Sequence, residues 1–252
     1  MTASLKDKVS PEEWALRVDL AAAFRLMAHY GWDDLIFTHF SVRLPGPEHH
    51  FLINPFNLMF EEITASSLVK VDVKGEAVGE TPFLTNPAGF IIHSAIHMAR
   101  EDARAVLHLH TPHGQAVSAM ADGLMPLTQT AMLVREELAY HHFEGVALDA
   151  DERERLVADL GEQSVMILRN HGTLAVGRTV AEAFIRLYYL ERACEAQCLA
   201  LAGGTALINH PPQGSAEKTA EQGRQLLSMI GEQLAWPALL RKAERLDPGF
   251  RT

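Results

Sequence analysis

The sequence predicts an α/β fold, and three observations carry that expectation. Short β-rich stretches alternate with helical patterns along the chain, and capping motifs mark helix starts. The 48% hydrophobic content against 21% charged residues is that of a packed globule, not a disordered chain. A length of 252 residues is ample for one large core.

Ser10-Pro11-Glu12-Glu13 opens the first helix, with Ser10 as N-cap, Pro11 in the first helical position and Glu13 completing a capping box. The pattern runs to about His29 and stops at Gly31. Phe40–Leu44, Phe51–Ile53 and Leu68–Val73 follow as strands bounded by Gly, Pro or Asn. Asn86-Pro87 starts a helix through Met98, with Phe90, Ser94 and His97 at helical spacing. Ala105–His110 reads as a buried strand, and Thr111-Pro112 leads to a helix near Gly114–Met120. Val165–Leu168 is another buried strand, ended by Asn170-His171-Gly172. Thr179-x-x-Glu182 caps a long helix that stops at Gly203-Gly204. His210–Ala216 is the most linker-like stretch before a C-terminal helix. The expectation is a single domain over 1–252, with a core at about 15–204 and a helical extension at about 216–252.

Lys and Arg number 22 against 32 Asp and Glu, a net charge of −10, which argues against a nucleic-acid partner. No apolar run approaches a membrane span and the N-terminus has no signal-peptide core, so neither a membrane nor export is expected. With only Cys194 and Cys198, the chain suits a reducing cytoplasm. These two cysteines, four apart among Ala and Leu, read as core thiols.

Thirteen histidines are the unusual count. His108 and His110 are alternate residues of one strand, so both rings leave the same face, about 7 Å apart along it. His171 sits in a turn after another apolar strand. Three imidazoles with an open position compose a catalytic metal site. The plainer alternative is a polar strand face and a turn residue, because H-x-H alone is a weak signal. His93 and His97, four apart on one helix, fit a buried polar contact to a neighbouring element better than a second metal site.

From about Ala15 to Gly204 the chain resembles the class II aldolase/adducin family. The matching segments are Thr38-His39-Phe40-Ser41-Val42-Arg43, FLINPFNLMFEEITASSLVKVD (51–72), NPAGFIIHSAIHMAR (86–100), VLHLHTPHGQAVSAM (106–120), AYHHFEG (139–145) and LRNHGTLAVG (168–177). Within the family the chain is most similar to the adducin head domain and its small bacterial relatives. The resemblance implies a three-layer αβα domain with a central mixed, largely antiparallel sheet. It places His108, His110 and His171 on the family's metal ligands, with one divalent ion, zinc first and manganese or iron as alternatives. It also implies a homotetramer with active sites between subunits, in which Tyr140 would reach an adjacent protomer's metal as proton donor. Packing at an interface is the other role for Tyr140. His141 and His142 are adjacent, so one of them could line the site, and His141 is taken as that candidate.

The chain departs from the sugar-phosphate aldolases of this family in two places. Their general acid/base glutamate is replaced by Gly89, and the preceding serines by Pro87 and Ala88. Their phosphate pocket, where glycines and small hydroxyls cradle a dianion, is rewritten as Ile36-Phe37-Thr38-His39 and Asn54-Pro55-Phe56-Asn57, and Phe56 makes it larger and less polar. A small-molecule substrate without a phosphate is expected. His39 and Asn54 are candidate hydrogen-bond partners for it, or loop-fixing residues. Arg43 is a candidate carboxylate anchor, or a strand-end ion pair. Glu61 and Glu62 read as solvent charges, and Glu182 as a capping residue.

These readings point to a metal-dependent lyase acting on a non-phosphorylated carboxylate or hydroxy-carbonyl compound. Aldol cleavage needs a base for a hydroxyl proton, whereas a carboxylate leaves already ionised, so the loss at Gly89 favours decarboxylation. Two alternatives stand beside it: a tris-histidine Fe(II) oxygenase on an aromatic acid, and a non-catalytic adducin-like assembly module.

Overall fold

A computed structural model describes residues 4–145 and 152–252, with the backbone alone at 87–89, 224, 225 and 228. Strands β1 (Phe40–Arg43), β2 (Phe51–Ile53), β3 (Val69–Val71), β4 (Ala105–Leu109), β5 (Leu138–His141), β6 (Val165–Leu168) and β7 (Gly172–Gly177) form one sheet. Their order is β3-β2-β1-β4-β7-β6-β5. Every neighbouring pair is antiparallel except β5 with β6, so the sheet is mixed and largely antiparallel.

The helices are α1 (Pro11–His29), α2 (Pro87–Ala99), α3 (Pro112–Ser118), α4 (Gln129–Val134), α5 (Glu152–Leu160), α6 (Val180–Leu201), α7 (Ser215–Ile230) and α8 (Trp236–Leu246). Side-chain oxygens of Ser10, Thr111, Thr128 and Thr179 accept from the third residue onward of their helices. Each such cap stabilises its helix by about 1 kcal/mol. The Thr111 cap explains why α3 starts at Pro112, two residues before the glycine where the sequence pattern places it. The strand at Gly172–Gly177 is obscured in the sequence because glycines at both ends read as turn residues.

Strand alternation divides the interior. Ala105, Leu107 and Leu109 of β4 enter the larger core with α1 and α6, while Val106 joins Leu156 of α5 and Ile96 of α2 on the opposite face. The result is three layers, helices on each side of the sheet. Phe24 of α1 stacks on Phe40 at 4.4 Å and meets Phe60 edge-on at 4.6 Å, contacts worth about 0.5–1.5 kcal/mol each beyond burial. The C-terminal segment joins this core: Trp236 packs on Phe184, its indole N–H donates to Asp19, and the Phe250 carbonyl accepts from Ala65 N. Among the described residues no helix is long and apolar enough to cross a membrane.

Candidate metal centre

Because β4 alternates, His108 shares the face of Val106, and His110 leaves the end of β4 on that same side. The antiparallel partner β7 begins at Gly172, so the turn between β6 and β7 brings His171 beside them. Asn170 takes a left-handed backbone there, with φ 55°. Gly172 is obligatory for packing, since a Cβ at this position would collide with the Leu109 carbonyl.

The three rings converge. Their centroids lie 4.7 to 4.8 Å apart, and His110 Nε2 stands 2.9 Å from His108 Nε2 and 2.8 Å from His171 Nε2. His108 Nδ1 donates to the Thr173 carbonyl at 2.9 Å, and His110 Nδ1 faces Asp34 Oδ2 at 3.0 Å. Both partners only accept, so in the neutral rings each Nε2 is left with a lone pair. Lone pairs that face one another at this distance repel unless a cation lies between them. Burial, helped by the neighbouring imidazoles, pushes His108 well below the usual imidazole range, and burial with His110 and His141 lowers His171 to about 4. Neutral nitrogens held in this way fit a divalent ion.

Beneath the cluster, Glu191 of α6 is fully buried and accepts from the hydroxyls of Thr111 and Thr173. Thr111 follows His110, and Thr173 supplies the carbonyl that orients His108. One carboxylate thus ties together the two strand ends that carry the histidines. Burial raises Glu191 to about 7, against the two hydroxyls that lower it.

Beside the cluster runs the segment from Asp34 to His39. Leu35 and Thr38 have positive φ, 52° and 66°, a conformation that side-chain-bearing residues seldom hold without tertiary constraint. Thr38 Oγ1, His39 Nε2 and Asn54 Oδ1 are buried with no hydrogen-bond partner among the described residues, and Asn54 Nδ2 meets the Thr38 carbonyl at 3.5 Å. Three such orphans in one place point to a polar ligand, because buried polar atoms are almost always paired. His39 is lowered to about 4, by burial first and then by His110. The surroundings are apolar: Phe56 lies flat to His39 at 6.4 Å and meets Phe37 at 6.2 Å, and Leu35, Phe37 and Leu84 are exposed.

The remaining candidates are dispersed. Arg43 shares a strand face with His39 but sits at the opposite end of β1, paired with Phe51, its guanidinium 5.8 Å over that ring. The structure does not bring it to the histidines, because an antiparallel register that sets Phe40 opposite Leu107 carries Arg43 away from His108. Tyr140 faces the larger core; its hydroxyl accepts from Leu124 N at 3.0 Å and Arg169 lies 4.3 Å over its ring. Within one chain it does not reach the cluster. His141 points to the other face, its Nδ1 2.8 Å from Asp159 Oδ2, close enough to His171 to lower it. Glu61 and Glu62 are exposed, and Glu62 caps Met59 N. Glu182 accepts from Arg178 N and pairs with Arg186. Cys194 is a buried core thiol pushed well up by burial. The side chains at 87–89, where the aldolase serines and glutamate would stand, lie outside the described residues.

A family model described as the Class II Aldolase and Adducin N-terminal domain matches residues 18–198. The chain belongs to this family. An aldolase II superfamily protein from Pseudomonas syringae has a crystal structure that superposes with a TM-score of 0.93 at 51% identity, covering 99% of this chain and 100% of that one. The L-fuculose 1-phosphate aldolase of Glaciozyma antarctica PI12 superposes at 0.81 with 29% identity, covering 100% and 96%. Alpha-adducin of Rattus norvegicus is 42% identical over 254 residues, spanning 95% of this chain but 34% of the adducin. The family's chemistry is that of metal-dependent lyases, and the family also includes the adducins.

Asp34, Thr173 and Glu191, which orient the cluster, escape a reading of the sequence. Asp34 is 76 residues from His110 and Glu191 80 from Thr111, and no local pattern links them.

Proposed function

We propose that this chain is a metal-dependent carbon–carbon lyase for a non-phosphorylated hydroxy-carbonyl or carboxylate compound. The observation that carries the reading is the convergence of three Nε2 atoms, two of them stripped of hydrogen by the Thr173 carbonyl and Asp34. His108, His110 and His171 would hold one divalent ion, zinc foremost for an all-imidazole set, with manganese or iron as alternatives. Bound there, it would supply Lewis acidity for the negative charge that develops when a carbon–carbon bond breaks.

The chain's own groups supply the rest. The orphaned atoms of Thr38, His39 and Asn54 offer donors and acceptors to a polar substrate. Phe56 beside His39 excludes a phosphate by giving it an apolar wall where a dianion needs N–H groups. The active form is a cytoplasmic homotetramer with sites between protomers, where Tyr140 of one subunit serves its neighbour as proton donor, while His141, on the opposite face of β5, lines the site of its own chain beside His171. Glycine at 89 favours decarboxylation, and a retro-aldol cleavage at this centre requires a base from elsewhere on the chain.

Alanine at His108 or His171 is the test, with elemental analysis of protein purified without added metal and assays for CO₂ or aldehyde release from hydroxy- and oxo-carboxylates. Both variants should lose the metal and all turnover while keeping the oligomer. Unchanged metal content in both would overturn the centre. The likeness to alpha-adducin favours a second reading, an assembly module, which gains if no carboxylate turns over and the metal-free variants fall apart into monomers.

A further inference from the structure

Helix α2 lays two histidines over β1, and a single serine holds both. Ser41 Oγ stands 2.7 Å from His93 Nδ1 and 2.8 Å from His97 Nε2, and His97 Nδ1 stands 2.7 Å from the Ala103 carbonyl. All three side chains are buried. The carbonyl only accepts, so His97 carries its proton on Nδ1. Burial, partly opposed by the Ala103 bond and reinforced by Arg43, lowers His97 to about 3, so its Nε2 is an acceptor. The one hydroxyl proton of Ser41 therefore goes to His97. Ser41 Oγ in turn accepts from His93 Nδ1–H. Neutral His93 is left with a bare lone pair on Nε2, a tautomer set by a backbone carbonyl three hydrogen bonds away.

That ring lies at the metal end of the helix. His39, Ser41 and Arg43 share one face of β1, and His39 falls opposite His108 on β4 by extension of the Phe40–Leu107 pair. The His93 and His39 rings meet edge-on at 6.3 Å, whereas His97 stacks on Phe51, toward the Arg43 end. Gly89, where the sugar-phosphate aldolases carry their glutamate, is one helical turn before His93 on the same side of α2.

We propose that His93 is the proton acceptor of a retro-aldol cleavage at this centre, in place of the carboxylate that Gly89 lacks; this rests on the lyase reading above. In a 4-hydroxy-2-oxo acid the C4 hydroxyl proton passes to His93 Nε2. The O–H electron pair becomes the carbonyl of the departing aldehyde as the C3–C4 bond breaks. Electrons of that bond form the enolate of the 2-oxo acid, which takes a proton at C3 from water, and His93 returns its proton to water. Ser41 and His97 are positioning residues that keep Nε2 bare. Substrates are thereby narrowed to those with a hydroxyl two carbons from the carbonyl.

The test combines ¹⁵N-histidine NMR of the full chain with pyruvate release from 4-hydroxy-2-oxopentanoate by the zinc-loaded protein. The wild type should show His93 Nε2 without hydrogen, the signal being assigned by its loss in His93→Gln. His93→Gln should keep one zinc per chain and lose roughly 100-fold in kcat with little change in KM. Ser41→Ala should let both His93 tautomers appear and lower kcat by roughly tenfold, and Ser41→Thr should restore both. A hydrogen on Nε2 in the wild type, or His93→Gln at wild-type kcat, overturns the proposal. A zinc-loaded protein that decarboxylates oxaloacetate but leaves 4-hydroxy-2-oxopentanoate intact sinks this inference and spares the lyase. Failure to take up zinc, manganese or iron sinks both.

Discussion

Asp34 Oδ2 and His110 Nδ1 lie 3.0 Å apart, joining the segment after α1 to the histidine that follows β4. A carboxylate behind a histidine fixes its tautomer and makes its other nitrogen more basic, so its loss weakens a metal site by about 10–100-fold. Asp34→Asn should weaken zinc affinity by that factor, read by competition with a chelator. The stability of the metal-free chain should hardly change, because the Asp34 side chain is 39% exposed.

Glu191 makes a prediction of opposite sign to a carboxylate held by an ion pair. Burial raises it from 4.5 to about 7, so above pH 4.5 the unfolded chain holds fewer protons than the folded one. Stability from this group is complete below pH 4.5 and is lost as pH rises to about 7, at about 1.4 kcal/mol per pH unit. Glu191→Gln keeps a group that pairs with both threonines and removes the charge. In metal-free protein it should unfold at a higher temperature than the wild type at pH 8, with the advantage gone at pH 4.5. Glu191→Ala should be destabilised at both, leaving Thr111 and Thr173 without their acceptor.

What could be read in the sequence was whatever a local period encodes. Alternation placed His108 and His110 on one face, and the Asn170–Gly172 turn put His171 at a strand end. The same parity correctly sets Arg43 on the face of His39, yet says nothing of which end of the strand meets the centre. That depends on the register with β4, a long-range pairing, and it separates Arg43 from the cluster. Ser41 shows the limit again: its two histidine partners are 52 and 56 residues away. The i, i+4 spacing of His93 and His97 announces a shared contact but not the serine that meets it.

His97 sets an acid limit on the fold. Its folded value of about 3 lies below the unfolded value of 6.5, so between these the unfolded chain binds the extra proton. Its stabilising effect is therefore complete above pH 6.5 and declines as pH falls toward about 3. Buried His93 shifts in the same direction and adds to the slope. Thermal unfolding of metal-free protein from pH 7 to 4 should show a steep fall, and His97→Gln should be less stable at pH 7 but shallower in its pH dependence. Parallel curves for the two proteins would rule out His97 as the source.

Phe56 makes a prediction about phosphorylated compounds. The Glaciozyma antarctica relative is named for a phosphorylated sugar, and this chain has its fold with Phe56 stacked flat to His39 and Phe37 edge-on beyond it. A dianion entering here would exchange water for aromatic carbon, and Arg43 is at the far end of β1. Wild-type protein should leave fuculose 1-phosphate intact and show no heat of binding with inorganic phosphate. Phe56→Ser returns a small hydroxyl and removes the ring, which should open the space without supplying the N–H cradle. Weak, salt-sensitive phosphate binding should then appear, with no cleavage. Rapid turnover of the sugar phosphate by the wild type would show instead that the ring swings aside, and that the apolar wall does not choose the substrate.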